Sequence, residues 1–232
     1  MKKNIMISAL ALLAVPLYAA DASPKDDVVA AAQKLAATAS YSWHQTVVVP
    51  EDAPFKPGPT DGKTEKGGAT YVKMSFGDNE TEIVMLGSKA ALTDPDGNWQ
   101  SLTNLENNNE GPGRFMVGMV RNFRAPVAQA TNLVATVKEL KKDGDVYSGD
   151  LTEAGAKELL TFRRGGGANV SNPQGSAKFW IKDGVLSKYE FAVKGKVDFN
   201  GNEFDVDRDT TVEIKDVGTT KVNVPADAKK VL

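Results

Sequence analysis

The sequence predicts an α+β fold: one long, strongly curled antiparallel sheet with helices covering its concave side. The first observation behind this is the stretch from Gly175 to Pro225, which reads as strand, Asp-Gly turn, strand, Asn-Gly turn, strand. Lys182-Asp183-Gly184 and Asn200-Gly201 supply residues that tolerate the left-handed backbone of tight hairpins. The second is strict alternation. Tyr189, Phe191, Val193 and Val197 share one parity, while Lys188, Glu190, Lys194 and Lys196 share the other. On the next strand Val206, Thr210, Val212 and Ile214 oppose Asp205, Asp207, Asp209 and Glu213. Such a period of two gives a sheet with one buried and one wet face. The third is that helix-period segments interrupt the strands with no internal repeat and no clear domain break.

Pro24 to Ser40 reads as the first helix, capped by Ser23, with Pro24 at its first position and Asp26 and Asp27 near its positive end. Val28, Ala32, Leu35 and Ala39 form a narrow stripe suited to lying close against a sheet. Tyr41 to Val49 is the first strand. Glu51 to Gly68, rich in proline and glycine, reads as a long loop. Ala69–Phe76 and Asn79–Leu86 alternate as strands, and Lys89–Thr93 and Trp99–Leu102 flank a turn at Asp94-Pro95-Asp96-Gly97-Asn98. After a polar stretch from Leu105 to Gly113, a helix carries Phe115, Met116, Met119, Val120 and Phe123 on one face, with Arg121 and Arg124 at its end. A short helix over Val127–Leu133 follows, then strands at Val134–Leu140 and Asp145–Leu151. Thr152 caps a helix to Leu160, and Arg163–Gly175 is a flexible connection.

The chain has 232 residues, enough for one sizeable core, with 41% hydrophobic and 25% charged residues. A net charge of −2 and the lack of a basic patch with interleaved aromatics give no reason to expect a nucleic-acid partner. Met1–Ala22 has the form of a signal peptide. Lys2 and Lys3 precede an apolar run, and Ala20-Asp21-Ala22 makes a small-x-small cleavage site. Residues 23–232 then form a single domain that is periplasmic or secreted and, once processed, not membrane-anchored, because the apolar run is short of a bilayer span. With zero cysteines, thiol catalysis, cysteine metal sites and a lipid-acylated mature cysteine are excluded.

No constellation of residues points to catalysis, to a metal or to a cofactor. His44 is the only histidine and has no partner identifiable from spacing, so it reads as structural or surface. Asp94–Asn98 has its glycine at the fourth position, where a calcium loop needs it at the sixth, and reads as a hairpin turn. Glu203, Asp205, Asp207 and Asp209 make a solvated strand face, paired with Lys188, Lys194 or Lys196 across the hairpin. Gly165-Gly166-Gly167 lacks the lysine and hydroxyl residue of a phosphate loop and reads as a linker. Arg121 and Arg124 read as solvated, with an anionic headgroup at a pocket mouth as the alternative. The Phe115–Phe123 face is either plain core or, with its two methionines, an adaptable surface for irregular lipid chains.

Asp145-Val146-Tyr147-Ser148-Gly149-Asp150-Leu151, Lys178–Gly184 and Val212–Asp216 ahead of the final Val224-Pro225, within this succession of elements, resemble the periplasmic lipoprotein-carrier superfamily of LolA, LolB and the LppX/LprG type. That resemblance covers most of the mature chain and implies a half-open barrel around a hydrophobic cavity, with helices as a lid. It implies a lipid or acyl-chain ligand and these ligand-binding residues: Phe115, Met116, Met119, Val120 and Phe123 on the lid, with Val72, Met74, Ile83, Met85, Tyr189 and Phe191 as lining. The function expected is a non-enzymatic exported lipid-binding module. The alternative is an envelope structural or protein-interaction module with an envelope protein partner. N-terminal sequencing of the exported protein is expected to begin at Ser23 or one or two residues earlier; an intact Met1 terminus on exported protein contradicts the leader.

Overall fold

The structure, a computed structural model, describes residues 23–53, 56–77, 79–108, 112–161, 169–199 and 201–232. The leader, the Gly165–Gly167 run and Asn200 lie outside the described residues. Helix α1 (Pro24–Ala37) starts as its sequence predicts. The Ser23 hydroxyl accepts from the Asp26 amide at 3.3 Å and the Asp26 carboxylate accepts from the Ser23 amide at 3.1 Å, a reciprocal cap. Its buried stripe is Val28, Ala31, Ala32 and Leu35, while Ala39 falls outside the helix and is exposed.

Eleven strands follow in one sheet: β1 (Ser40–Val48), β2 (Pro57–Glu65), β3 (Ala69–Phe76), β4 (Asn79–Leu86), β5 (Lys89–Thr93), β6 (Trp99–Ser101), β7 (Lys141–Asp143), β8 (Val146–Asp150), β9 (Asn169–Lys182), β10 (Val185–Phe199) and β11 (Asn202–Lys215). All pair antiparallel, in the order β6-β5-β4-β3-β2-β1-β11-β10-β9-β8-β7. The α+β class and the β9–β10–β11 meander are as expected. Asp183 (φ 54°) and Gly184 (φ 72°) take the left-handed conformations that the first hairpin requires.

The barrel is not. The order has two free ends, β6 and β7, each three residues long, and among the described residues no pairing joins them. The sheet is therefore open, neither strongly curled nor a half-open barrel. The alternation of side chains reports which face is buried, and it carries no information about how far the sheet bends. The free ends are blunted instead, by brevity and, on β7, by Lys141, Lys142 and Asp143.

Helices cover one face in two groups. Helix α1, α4 (Pro126–Thr136) and α5 (Glu153–Thr161) lie over β9 and β10, while α2 (Leu102–Asn108) lies over β5 and β6 and carries α3 (Pro112–Arg121). On the opposite face, helix α6 (Ala226–Val231) backs β5 and β6, where Ala228 completes a small second core with Ala69, Val84 and Ala91. Helices are therefore not confined to one side.

Several local expectations change. The Glu51–Gly68 loop contains β2, a full strand. Its prolines sit where β2 pairs with β3 alone, since the pairing with β1 starts at Thr60, so the missing proline N–H groups cost no ladder bonds on that side. The polar stretch from Leu105 to Gly113 starts inside α2, and Leu102 opens that helix instead of ending a strand. Val134 lies in the last turn of α4 instead of starting a strand, and the strand expected over Val134–Leu140 is reduced to an isolated bridge, Val137 to Leu151, ahead of β7. Asn169–Gly175 belongs to β9, and the chain end after Pro225 forms α6.

Gly62 in β2 shows why strand glycines were hard to read. It pairs with Trp43 of β1, whose indole lies across it, and a Cβ at position 62 would overlap that ring. Gly62→Ala forces the indole off its seat and is expected to destabilise the protein by about 1–3 kcal/mol. Urea unfolding should show a lower midpoint at an unchanged slope; an unaltered midpoint would remove the packing role given to this glycine.

Candidate ligand-binding site

Register places the expected lining residues on one face. Val72 opposes Ile83 on β3 and β4, and Met85 lies between Thr70 and Ala90 in the next row. Met74 stands in a row that runs through Thr60, Gln45 and Val212 to Tyr189 on β10. Val72, Met74 and Ile83 are buried and Met85 is half-buried. Tyr189 and Phe191 are buried as well, but four strands away from β3, under a different group of helices. Tyr189 stacks on Phe179 (centroids 6.5 Å apart) and its hydroxyl donates to Gln129 Oε1 of α4. The expected lining thus falls in two places.

The first place lies beneath α3. Met119 and Val120 are buried, Met116 and Phe123 half-buried; the side chain of Phe115 lies outside the described residues. Phe123 stacks on Trp43 at 6.2 Å between centroids and 30° between planes, and Trp43 tilts against Tyr41 at 6.0 Å. Trp43 is the site residue that the sequence reading passed over. Its signal was available, since Tyr41, Trp43, Gln45 and Val47 share a parity. The backbone of α3 packs chiefly against α2, and the sheet is reached just past its end by the Phe123 ring. Arg121 locks the two helices together, its Nε 2.7 Å and its Nη2 2.5 Å from Glu106 Oε1.

Two surface grooves occur elsewhere. One of about 680 Å³ opens where β8 ends, lined by Lys138, Asp150, Glu153, Gln174 and Lys194 among others. One of about 260 Å³ lies at the corner of α1 and β1, beside Tyr41, Lys66 and Val127. Neither is lined by any residue expected to hold the ligand. The larger carries both signs of charge, which does not suit an acyl chain.

The remaining polar features keep their plain readings. His44 Nδ1 lies 2.7 Å from Asp61 Oδ1 on the outer face, with Glu213 opposite it on β11. Among the described residues no group of three or more histidines or carboxylates is placed to hold a metal ion. Asp94 staples the β5–β6 turn: it accepts from the Asn98 amide at 2.9 Å, from Gln100 Nε2 at 2.9 Å and from the Asp96 amide at 3.0 Å. These donors, Asn98 foremost, hold its carboxyl below the usual value. In the acidic row, Lys194 pairs with Asp207 at 2.9 Å and Lys196 with Glu203 at 2.7 Å. Lys188 instead reaches Glu190 on its own strand at 2.6 Å.

No family model matches the chain, and no curated protein matches it in sequence. Among solved structures it is similar to the Mycobacterium tuberculosis lipoprotein LppX, at 13% identity over 87% of this chain and 98% of that one, with a TM-score of 0.49. It is also similar to LprF from Mycobacterium bovis, at 13% identity over 88% of this chain and 97% of that one, with a TM-score of 0.47. The resemblance read from the sequence is to this same LppX type.

Burial makes the tyrosines of the helix–sheet interface reluctant to ionise. It pushes Tyr41 up to about 12, against a smaller opposing effect of a backbone hydrogen bond from Val127, and raises Tyr189 well above its ordinary value. Because the folded value exceeds the unfolded one of 10.0, this contribution is intact below pH 10 and is lost as pH rises toward about 12. Tyrosinate absorbance should therefore rise together with loss of the folded circular dichroism signal in that window. Titration of all tyrosines near pH 10 with the fold intact would contradict the burial.

Proposed function

We propose that this chain is an exported, non-enzymatic module that binds a lipid or another hydrophobic ligand between α3 and the strip of Val72, Met74, Ile83 and Met85. What supports this is the way α3 is held. Met119 and Val120 belong to the main core and Met116 packs against it, Phe123 just past the helix reaches the sheet at Trp43, and the helix backbone packs chiefly against α2. Methionine adapts its shape by rotation about three bonds, so such a contact re-forms around a guest more readily than interlocked backbones do. No barrel and no preformed cavity is required; the guest takes the place of side-chain contacts. Export rests on the form of Met1–Ala22, and a periplasmic or secreted site follows from it. No helix of the described residues is long and apolar enough to cross a membrane.

Magnitudes favour long chains. Freeing Met119, Val120 and Phe123 from their burial costs about 5–9 kcal/mol if nothing replaces their partners. Each buried methylene returns about 0.8 kcal/mol, so a chain of roughly sixteen carbons outweighs the whole of that range, whereas one of about eight only falls within it. A second reading, an envelope structural or protein-interaction module, is favoured by the Trp43–Phe123 stack, which fills the space under the end of α3.

Native mass spectrometry of gently purified mature protein, with lipid extraction, separates the two. The carrier reading expects a bound mass that extracts as a long-chain lipid, binding of a long-chain fluorescent fatty acid and much weaker binding of octanoate. Met119→Trp should abolish that binding while the protein stays folded. Protein that is consistently empty and ignores hydrophobic probes overturns the carrier reading and leaves the scaffold.

A further inference from the structure

The outward side of α3 lies in the longest stretch of the chain without a carboxylate, a little longer than the similarly basic Leu159–Lys182. From Pro112 to Lys138 there is no aspartate or glutamate, although the chain carries 30 acidic residues in 232 and a run of that length would hold about three. The same run carries Arg114, Arg121, Arg124 and Lys138. Arg114 and Arg121 are seven residues apart, two helical turns, so they share one side of α3. Gly118 lies between them and a Cβ there would meet nothing within 4 Å, which identifies this stripe as the open side. Arg114, Arg121, Asn122 and Arg124 are all exposed. Glu106 neutralises Arg121, whereas among the described residues Arg114 and Arg124 face no carboxylate within ion-pairing distance. On α4 the exposed residues Ala128, Asn132 and Ala135 add no charge. The helix is thus cationic on its outer side and carries Met116, Met119 and Val120 on its inner side.

We infer that the Arg114–Gly118–Arg121 stripe of α3, with Arg124, docks this protein onto an anionic lipid surface. The charge pattern suits phosphate headgroups, which meet guanidinium groups through paired hydrogen bonds and need no shaped pocket. The inference deepens the carrier reading and rests on it for its purpose: the helix over the candidate ligand would be the one that meets the membrane, so that opening and hand-over happen at the same place. The docking itself depends only on the stripe.

The test is flotation of the mature chain with phosphatidylcholine vesicles, with and without phosphatidylglycerol, alongside lipid extraction of the same preparations. Wild type should bind the phosphatidylglycerol vesicles, less so as salt rises, and ignore the neutral ones. Arg114→Ser with Arg124→Ser should weaken binding roughly 30-fold, each arginine supplying about a factor of five. Lys221→Ser with Lys229→Ser removes the same charge from exposed positions in and before α6, and should leave binding intact. Absence of wild-type binding, equal binding to neutral vesicles, or equal losses in the two double variants overturns the docking. Arginine variants that float poorly yet keep their extracted ligand support it. Docking by a protein that never carries a ligand leaves this inference standing and removes the carrier reading; a loaded protein that does not dock does the reverse.

Discussion

An open sheet of eleven strands presents an apolar face too wide for one helix, and that width is the constraint on which the rest of the architecture depends. At a strand spacing of about 4.8 Å the hydrogen-bonded width approaches 50 Å, against roughly 10 Å for a helix with its side chains. The chain meets this with two groups of helices. Small residues let α1 lie close on β9 and β10, and α4 and α5 approach so tightly that a Cβ on Gly155 would overlap Thr136. Over β3 to β5 the cover is thinner. There α2 and α3 make the layer, and the Phe123 ring just past the end of α3 reaches the sheet.

That unevenness separates the two ends of the face in character. Beneath α1 and α4, buried polar groups are fixed. The Tyr189 hydroxyl is bound by Gln129, and Lys25 reaches across to the Val137 carbonyl. Such directional contacts tolerate little rearrangement, because a hydroxyl or amide left without its partner in the interior is costly. Beneath α3 the contacts are dispersion and aromatic stacking, which have broad minima and exchange partners cheaply. If any part of the apolar face admits a guest, physics favours the second over the first. The expected lining therefore divides: Val72, Met74, Ile83 and Met85 lie where exchange is easy, whereas Tyr189 and Phe191 belong to the fixed half.

The opposite face shows the same economy of cover. Along most of its width it is wet and carries ion pairs such as Lys194–Asp207, exposed enough to add little to stability. Near β5 and β6 the chain end returns to bury it, with α6 set behind Val84 and Ala91. Both faces are therefore apolar at that end, a situation that a two-sided alternation of side chains does not announce.

The alternation in β9, β10 and β11, the Asp183-Gly184 turn, the Ser23 cap and the hydrophobic stripe of α1 were legible from residues alone, because each is decided by local geometry and by which side of a strand or helix meets water. The burial of Met119 and Val120 on one side of α3 was legible in the same way. What tertiary structure alone decided depends on distant partners. Gly62 is a strand residue only because Trp43 of a neighbouring strand occupies the space its side chain would have taken. The Pro57–Pro59 stretch extends because β3 pairs with it there while β1 does not. The bend of the sheet, and with it the difference between a barrel and an open layer, is set by how the helices on both faces share the burial, and no periodicity along a single segment encodes that.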